Sequence, residues 1–143
     1  MIYKIIPKKF NPKFEVVGNF IQHNNEIILL HRQKHKPQGN TWGIPSGKKN
    51  KGESSFNAVY RETAEETGIL ISPKKIKFFL TTYIEFQEYD FIYHIFYTKT
   101  NSRTKITINK DEHKNAIWIS PKNALKLPLI EDLDGCIKLF FNI

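Results

Sequence analysis

Three glutamates stand at spacings of three and four residues, as Glu62, Glu65 and Glu66. Residues three and four apart are neighbours on a helix, so a helical segment would carry all three carboxylates on one face. Adjacent like charges repel, and a helix gains no stability by collecting them. A hard divalent cation that prefers oxygen ligands would relieve the repulsion. The spacing indicates a metal site, although a solvated acidic face would show the same three residues.

The residues around the glutamates predict a helix over about 55–67. Ser54 and Ser55 are favourable N-cap residues. Gly68 suits the position just past a helix end, where a left-handed backbone is unstrained only for glycine. A mostly apolar stripe recurs at helical spacing on roughly the opposite side from the glutamates: Phe56, Val59, Tyr60, Thr63 and Thr67. We therefore expect the helix to pack by this stripe and to present the carboxylates on its other face.

A longer pattern of fixed spacing surrounds this helix. Five residues separate Gly47 from Glu53, and seven separate Glu53 from Arg61. Segment 47–69 is similar to the Nudix box, G-x5-E-x7-R-E-U-x-E-E-x-G-U, in which U is a bulky apolar residue. The matching residues are Gly47, Glu53, Arg61, Glu62, Glu65, Glu66, Gly68 and Ile69. Thr63 stands where the first U is expected, and its methyl group can still pack. The chain thus resembles the Nudix (MutT-like) hydrolases.

The resemblance implies a loop–helix–loop that binds a divalent cation and a diphosphate. Gly47 would offer its backbone carbonyl as a ligand, and Glu62, Glu65 and Glu66 would supply carboxylate oxygens. The implied cofactor is Mg²⁺, with Mn²⁺ as a substitute. The cation would bridge phosphate oxygens and lower the pKa of a bound water molecule.

The resemblance also implies roles in catalysis. Glu62 is our first choice for the general base that accepts a proton as water attacks phosphorus, and Glu65 is also a candidate. Arg61 would orient a glutamate, and Glu53 is its expected partner. The position of Glu53 at the start of the helix would be explained equally well by its interaction with the positive end of the helix dipole. Gly68 has only a structural role in the motif.

A further carboxylate lies downstream. Glu112 stands six residues before Trp118, which belongs to a strand-like apolar run over 116–119. The resemblance implies an acidic residue a few positions before such a strand, acting as a further metal ligand or as the base. An ordinary charged loop over 109–114 explains Glu112 equally well. We interpret His113 as a loop histidine rather than a ligand.

Composition limits the remaining function classes. With 143 residues the chain suits one domain, residues 1–143. The single cysteine, Cys136, excludes an internal disulfide and fits a reducing cytoplasm. No apolar run approaches the roughly 18 residues needed to cross a bilayer, and no signal-peptide core is evident. We therefore expect a cytoplasmic protein without membrane partners.

The net charge of +8 leaves an RNA substrate open, although no RNA-binding motif is recognisable. Lys48 follows the motif glycine and would steer a polyphosphate toward the metal.

The order of elements predicts an α/β domain. The expected strands are 14–22, 27–31, 42–45, 76–86, 91–99, 105–108 and 116–120, and the expected helices are 55–67, 121–127 and 133–141. This order resembles the Nudix fold, a mixed curved β-sheet sandwiched between α-helices. We expect residues 1 to about 12 to form a loose arm or an extra strand.

The resemblance implies cleavage of a nucleoside diphosphate linked to another moiety X, and our main hypothesis is a nucleoside triphosphate or related nucleotide. The alternatives are a nucleotide-sugar, ADP-ribose or dinucleoside polyphosphate hydrolase, or a non-catalytic module that binds nucleotides or RNA. Arg32 would contact phosphate, or would simply end a strand in solvent. Phe86, Tyr89 or Phe91 would stack with the base. Tyr83, like Tyr89, lies where dinucleoside-polyphosphate members place a substrate-binding tyrosine, with packing in the sheet as the alternative. A homodimer is compatible with the family, but no interface can be identified.

Overall fold

The computed structural model describes residues 1–143 and contains one mixed eight-stranded sheet. The strands are β1 (Ile2–Tyr3), β2 (Pro12–His23), β3 (Glu26–Arg32), β4 (Trp42–Gly43), β5 (Ser46–Lys48), β6 (Ile76–Glu85), β7 (Asp90–Lys99) and β8 (His113–Ile119). The helices are α1 (Ser55–Thr67), α2 (Pro121–Ala124) and α3 (Leu133–Phe141), with a 3₁₀ turn at Pro73–Lys75. The main path of the sheet is β1-β6-β7-β2-β3-β4, and β5 and β8 pair with β2 and β3. Only β2 and β7 pair in parallel, so the sheet is mixed, as expected.

Two apolar cores lie on opposite faces of the sheet, because alternate residues of a strand point to opposite faces. Val17 and Ile21 of β2 pack in one core with Ala58 and Val59 of α1. Phe20 of β2 packs in the other core, which includes Leu133 and Ile137 of α3. The predicted arrangement of a sheet between helices is therefore confirmed, and each large apolar side chain buried in it is worth about 1.5–3 kcal/mol.

Helix α1 has the predicted bounds because both of its ends are capped locally. The Ser54 hydroxyl accepts a hydrogen bond from the Asn57 amide at 3.0 Å, and Gly68 takes the left-handed conformation at φ 69°. The predicted apolar stripe is only partly buried, since Phe56 and Tyr60 are 36% and 39% exposed while Thr67 is fully buried. The protein thus covers the part of the stripe that holds Val59, Thr63 and Thr67 and leaves Phe56 and Tyr60 exposed.

Other segments differ from the prediction: the expected strand 42–45 ends at Gly43, and the strand β5 was not predicted. Residues 105–108 are not a strand, and the Thr107 amide instead donates to the Thr67 carbonyl at 2.8 Å. Of the two alternatives expected for the N-terminal residues, the extra strand is found, in which Ile2 and Tyr3 pair with β6. Helix α2 ends at Ala124, earlier than expected. None of the helices combines the length and the apolar character that a membrane crossing requires.

Candidate metal and nucleotide site

Glu66 is the most deeply buried carboxylate of the motif, with 5% of its surface exposed. Its Oε1 accepts a hydrogen bond from the Ser46 amide at 2.6 Å, which ties α1 to the start of β5. Burial raises the pKa of Glu66 well above its ordinary value, and the neighbouring charges of Glu62 and Glu112 add to this effect. The hydrogen bond from the Ser46 amide favours the anion, and a positive charge close by would favour it further.

Glu62 lies directly against Gly47. A Cβ atom on Gly47 would overlap the Glu62 carboxylate, so a larger residue at this position of β5 would displace that carboxylate. The Glu62 side chain is 13% exposed, and its Oε1 accepts a hydrogen bond from Nη1 of Arg61 at 2.7 Å. Burial raises the pKa of Glu62, although the Arg61 guanidinium opposes this change.

Arg61 links the loop before α1 to the glutamates. Its Nε and Nη2 donate to the two carboxylate oxygens of Glu53, both at 2.9 Å. Nη2 also donates to the Lys48 carbonyl at 3.1 Å, and Nη1 donates to Glu65 at 3.3 Å as well as to Glu62. A planar guanidinium suits such a bidentate arrangement better than an ammonium does. The Arg61 guanidinium is therefore held against the carboxylates by hydrogen bonds and does not extend freely into solvent.

Glu53 is held from two sides. Besides the ion pair with Arg61, its Oε1 accepts a hydrogen bond from the Asn50 amide at 2.9 Å. The Arg61 hydrogen bonds are the main cause that lowers the pKa of Glu53 to about 2. This side chain braces the turn that leads into α1, whose N-cap is Ser54.

Glu112 reaches the site from the other side of the fold, directly before β8. The backbone amide of Gln33 donates a hydrogen bond to the backbone carbonyl of Glu112 at 2.8 Å, which places Glu112 beside the end of β3. Ligand atoms of Glu66, Glu112 and His113 all lie within 4.8 Å of one another. The ammonium of Lys36 is 3.9 Å from Oε1 of Glu112.

His113 differs from its interpretation as a loop residue, because it is the first residue of β8 and is only 4% exposed. Its Nδ1 has no hydrogen-bond partner and lies 3.8 Å from Oε2 of Glu66. Burial lowers the pKa of His113 to about 4, so the imidazole is neutral near pH 7.

The donor set fits a divalent cation on three observations: the buried Glu66 carboxylate, the unpartnered Nδ1 of His113 and the close approach of the Glu62 carboxylate to the Gly47 backbone. Glu65 is the outlying member, since its side chain is 57% exposed and turned toward Arg61.

A cavity of about 690 Å³ opens beside β5. Ser46, Gly47 and Lys48 line the end of this cavity that is nearest to Glu62 and Glu66. Aromatic side chains line much of the remainder: Phe14, Phe86, Tyr89, Phe91 and Tyr93. The Lys48 ammonium lies 4.1 Å from the centre of the Phe14 ring, a cation–π contact.

Of the expected substrate residues, Arg32 lies at the cavity and Tyr83 does not. Arg32 lines the cavity, and its Nε donates to the Pro37 carbonyl at 2.9 Å. Tyr83 does not line the cavity; its neighbour Ile84 does, so Tyr83 points to the opposite face of β6 and packs edge-on against Phe10.

Sequence reasoning missed Phe14 and Tyr93 as cavity residues. Alternate side chains of a strand share a face, and this period of two places Phe14 and Tyr93 each on one face of its strand. The period alone does not reveal the parallel pairing of β2 with β7 that brings them together.

Comparison with known proteins gives matches over nearly the whole chain. The family model of the NUDIX domain matches residues 12–140. CTP pyrophosphohydrolase of Escherichia coli (strain K12) is 27% identical over 117 residues, which cover 80% of this chain and 82% of that protein. The 8-oxo-dGDP phosphatase NUDT18 of Mus musculus is 32% identical over 63 residues, which cover 44% of this chain and only 19% of the mouse protein. The crystal structure of a MutT protein from Methanosarcina mazei Go1 superposes with a TM-score of 0.77 at 26% identity, covering 92% and 94% of the two chains.

Proposed function

Since this chain belongs to the Nudix hydrolase family, we propose that it is a Mg²⁺-dependent pyrophosphohydrolase that cleaves a nucleoside triphosphate or a related nucleotide. One observation carries the proposal: Glu66 and Glu112 converge, and Glu62 and Glu66 contact Gly47 and Ser46, which line an aromatic cavity. A protein that only binds nucleotides has no need of all these carboxylates. The similarity to a CTP pyrophosphohydrolase supports a triphosphate substrate.

The residues proposed to hold the cation are the Gly47 carbonyl and the carboxylates of Glu62, Glu65, Glu66 and Glu112. A divalent cation bound there neutralises phosphate charge and lowers the pKa of a water molecule.

Glu62 is proposed as the general base, with Glu65 and Glu112 as the other candidates. Burial raises the pKa of Glu62 toward the working pH, which favours a group that must both accept and release a proton. Arg61 holds Oε1 of Glu62 at 2.7 Å, so Oε2 is the oxygen that would accept the proton. Glu53 keeps Arg61 in this orientation and is proposed to act only through it.

The cavity supplies the substrate contacts in this proposal. Its volume of about 690 Å³ falls in the range of small-molecule sites. Lys48 and Arg32 would pair with phosphate oxygens, and Phe14, Phe86 or Phe91 would stack with the base. Cys136 is buried and unpaired, which supports a reducing compartment such as the cytoplasm.

The proposal is tested by measuring release of phosphate and pyrophosphate, with Mg²⁺ and with EDTA, across a substrate panel. The panel contains canonical and oxidised nucleoside triphosphates, ADP-ribose, nucleotide sugars, dinucleoside polyphosphates and 5′-triphosphorylated RNA. We expect Mg²⁺-dependent release of pyrophosphate from nucleoside triphosphates. Preferential cleavage of another substrate class would overturn the proposed substrate but leave the proposed pyrophosphohydrolase reaction standing. Nucleotide binding without turnover of any substrate would instead establish a sensor module.

A further inference from the structure

We propose that His113 is a nitrogen ligand of the cation held by Glu66 and Glu112, and that it shifts the preference of this site from Mg²⁺ toward Mn²⁺. This inference rests on the proposed function only in that both need a cation at this site. It assigns a metal contact to a residue outside the 47–69 motif and gives the site a mixed nitrogen and oxygen donor set.

The first observation is that Nδ1 of His113 is buried without a partner. The residue is 4% exposed, and no hydrogen bond reaches this nitrogen. Buried polar atoms are almost always hydrogen-bonded, because an unpaired one costs free energy. An atom that is left unpaired beside two carboxylates is explained if its partner is a cation.

The second observation is the spacing of the donor atoms. Nδ1 of His113 and Oε2 of Glu66 are 3.8 Å apart, too far for a hydrogen bond. Donor atoms of Glu66, Glu112 and His113 nevertheless lie within 4.8 Å of one another. Ligands bound at about 2.0–2.6 Å from one ion span up to roughly 5 Å. The three side chains are therefore spaced as ligands of one ion.

The third observation is that the backbone sets this orientation. The pairing of β3 with β8 shifts register between His31 and Arg32, where Arg32 pairs with His113. Such a bulge re-aims side chains at the end of a strand. The His113 amide donates to the Asn109 carbonyl at 2.9 Å, which fixes the turn before the strand. His113 is thus directed into the site by the fold and not by a flexible loop.

The preference for Mn²⁺ follows from donor chemistry. Mg²⁺ is hard and binds oxygen almost exclusively, whereas transition-metal ions accept imidazole nitrogen as well. Replacing one oxygen donor by nitrogen therefore penalises Mg²⁺ more than Mn²⁺.

The decisive experiment is pulsed electron paramagnetic resonance of the full chain loaded with Mn²⁺, without nucleotide. We expect nitrogen modulation from a directly bound imidazole, and we expect protein labelled with ¹⁵N only in histidine to change that modulation from the ¹⁴N to the ¹⁵N pattern. Because this comparison uses the natural sequence, it does not depend on whether a variant folds. Mn²⁺ bound with no histidine nitrogen modulation would overturn the inference and leave the proposed hydrolase standing. No binding of Mn²⁺ or Mg²⁺ at all would overturn both.

The assignment to His113 is tested by His113→Gln, with the exposed His35→Gln as the matched control. His113→Gln should lose the nitrogen modulation and weaken Mn²⁺ binding by about 10-fold or more, with a smaller change for Mg²⁺. His35→Gln should keep the modulation and both affinities. If His113→Gln weakened the binding of both ions equally and the nitrogen modulation remained, the nitrogen would belong to another histidine and the proposal would be overturned.

Discussion

Gly47 of β5 and Glu62 of α1 touch so closely that a Cβ atom on Gly47 would overlap the Glu62 carboxylate. The reason for glycine here is space and not conformation, since a left-handed backbone is recorded for Gly52 and Gly68 but not for Gly47. The contact joins the strand that enters the motif to the helix that carries its carboxylates. The position of Glu62 therefore depends on a missing side chain in another element.

Gly47→Ala is expected to displace Glu62 while leaving the fold intact. Displacing a proposed ligand should lower Mg²⁺ affinity and kcat/KM by about 10-fold or more. Gly43→Ala is the matched control, because its Cβ would meet only Ile130 at an ordinary 3.6 Å. Calorimetric titration with Mg²⁺ and the hydrolysis assay check this expectation. Full affinity and activity in Gly47→Ala would show that Glu62 does not need its present position.

Glu66→Gln is expected to abolish metal-dependent turnover without unfolding the protein. Glutamine has nearly the same size and can still accept the Ser46 hydrogen bond of 2.6 Å, but it lacks the negative charge. The loss in kcat/KM should exceed about 100-fold, since even residues that merely support metal ligands are worth about 10–100-fold. Glu26→Gln, which breaks an exposed ion pair with Arg103, is the charge-matched control. Retained activity with unchanged Mg²⁺ dependence would refute the assignment of Glu66 to the metal site.

The ion pair of Glu53 with Arg61 should make the free energy of unfolding depend on pH under acidic conditions. The pKa of Glu53 is lowered from an ordinary 4.5 to about 2, so folding favours the ionised form. This contribution is fully present above about pH 4.5 and is lost as the pH falls toward 2. Denaturant unfolding of the natural protein and Glu53→Gln should therefore differ most near pH 7 and converge at low pH. A difference that stays constant from pH 7 to pH 3 would contradict the ion-pair contribution.

Cys136 should be unreactive in the folded protein. It is 1% exposed, and burial raises its pKa to about 12, so the nucleophilic thiolate is scarce at pH 8. Labelling by a thiol reagent should be slow in buffer and rapid in denaturant. Fast stoichiometric labelling under native conditions would show that the segment around α3 opens readily.

Phe86 and Tyr83 should respond differently to truncation. Phe86 lines the cavity, whereas Tyr83 lies on the other face of β6. Loss of base stacking costs about 1–3 kcal/mol, so Phe86→Ala should raise KM by roughly 5- to 150-fold. Tyr83→Ala should leave KM unchanged, and thermal unfolding of both variants checks that each is folded. The opposite pattern would place the nucleotide on the α1 face of the sheet.

Local signals in the sequence were sufficient for helix α1 and its row of carboxylates. The capping hydroxyl of Ser54 and the left-handed Gly68 act within one turn of the helix, so neighbouring residues alone determine its bounds. The face shared by Glu62, Glu65 and Glu66 follows from the helical repeat in the same way. The expectation of a sheet between helices was equally successful, because it depended on the order and periodicity of strands and helices.

The residues that lie opposite that row depend on tertiary contacts. The pairing of β3 with β8, including its shift beside Arg32, brings Glu112 and His113 to Glu66, and the parallel pairing of β2 with β7 assembles the aromatic cavity. Tertiary contacts, among them the hydrogen bond from the Thr107 backbone amide, also bury Thr67 but leave Phe56 and Tyr60 exposed on α1. Strand register and helix coverage depend on contacts between residues far apart in the chain, and no local pattern of side chains specifies them. Neighbouring residues therefore specify the carboxylate helix, whereas tertiary packing specifies which side chains complete the site.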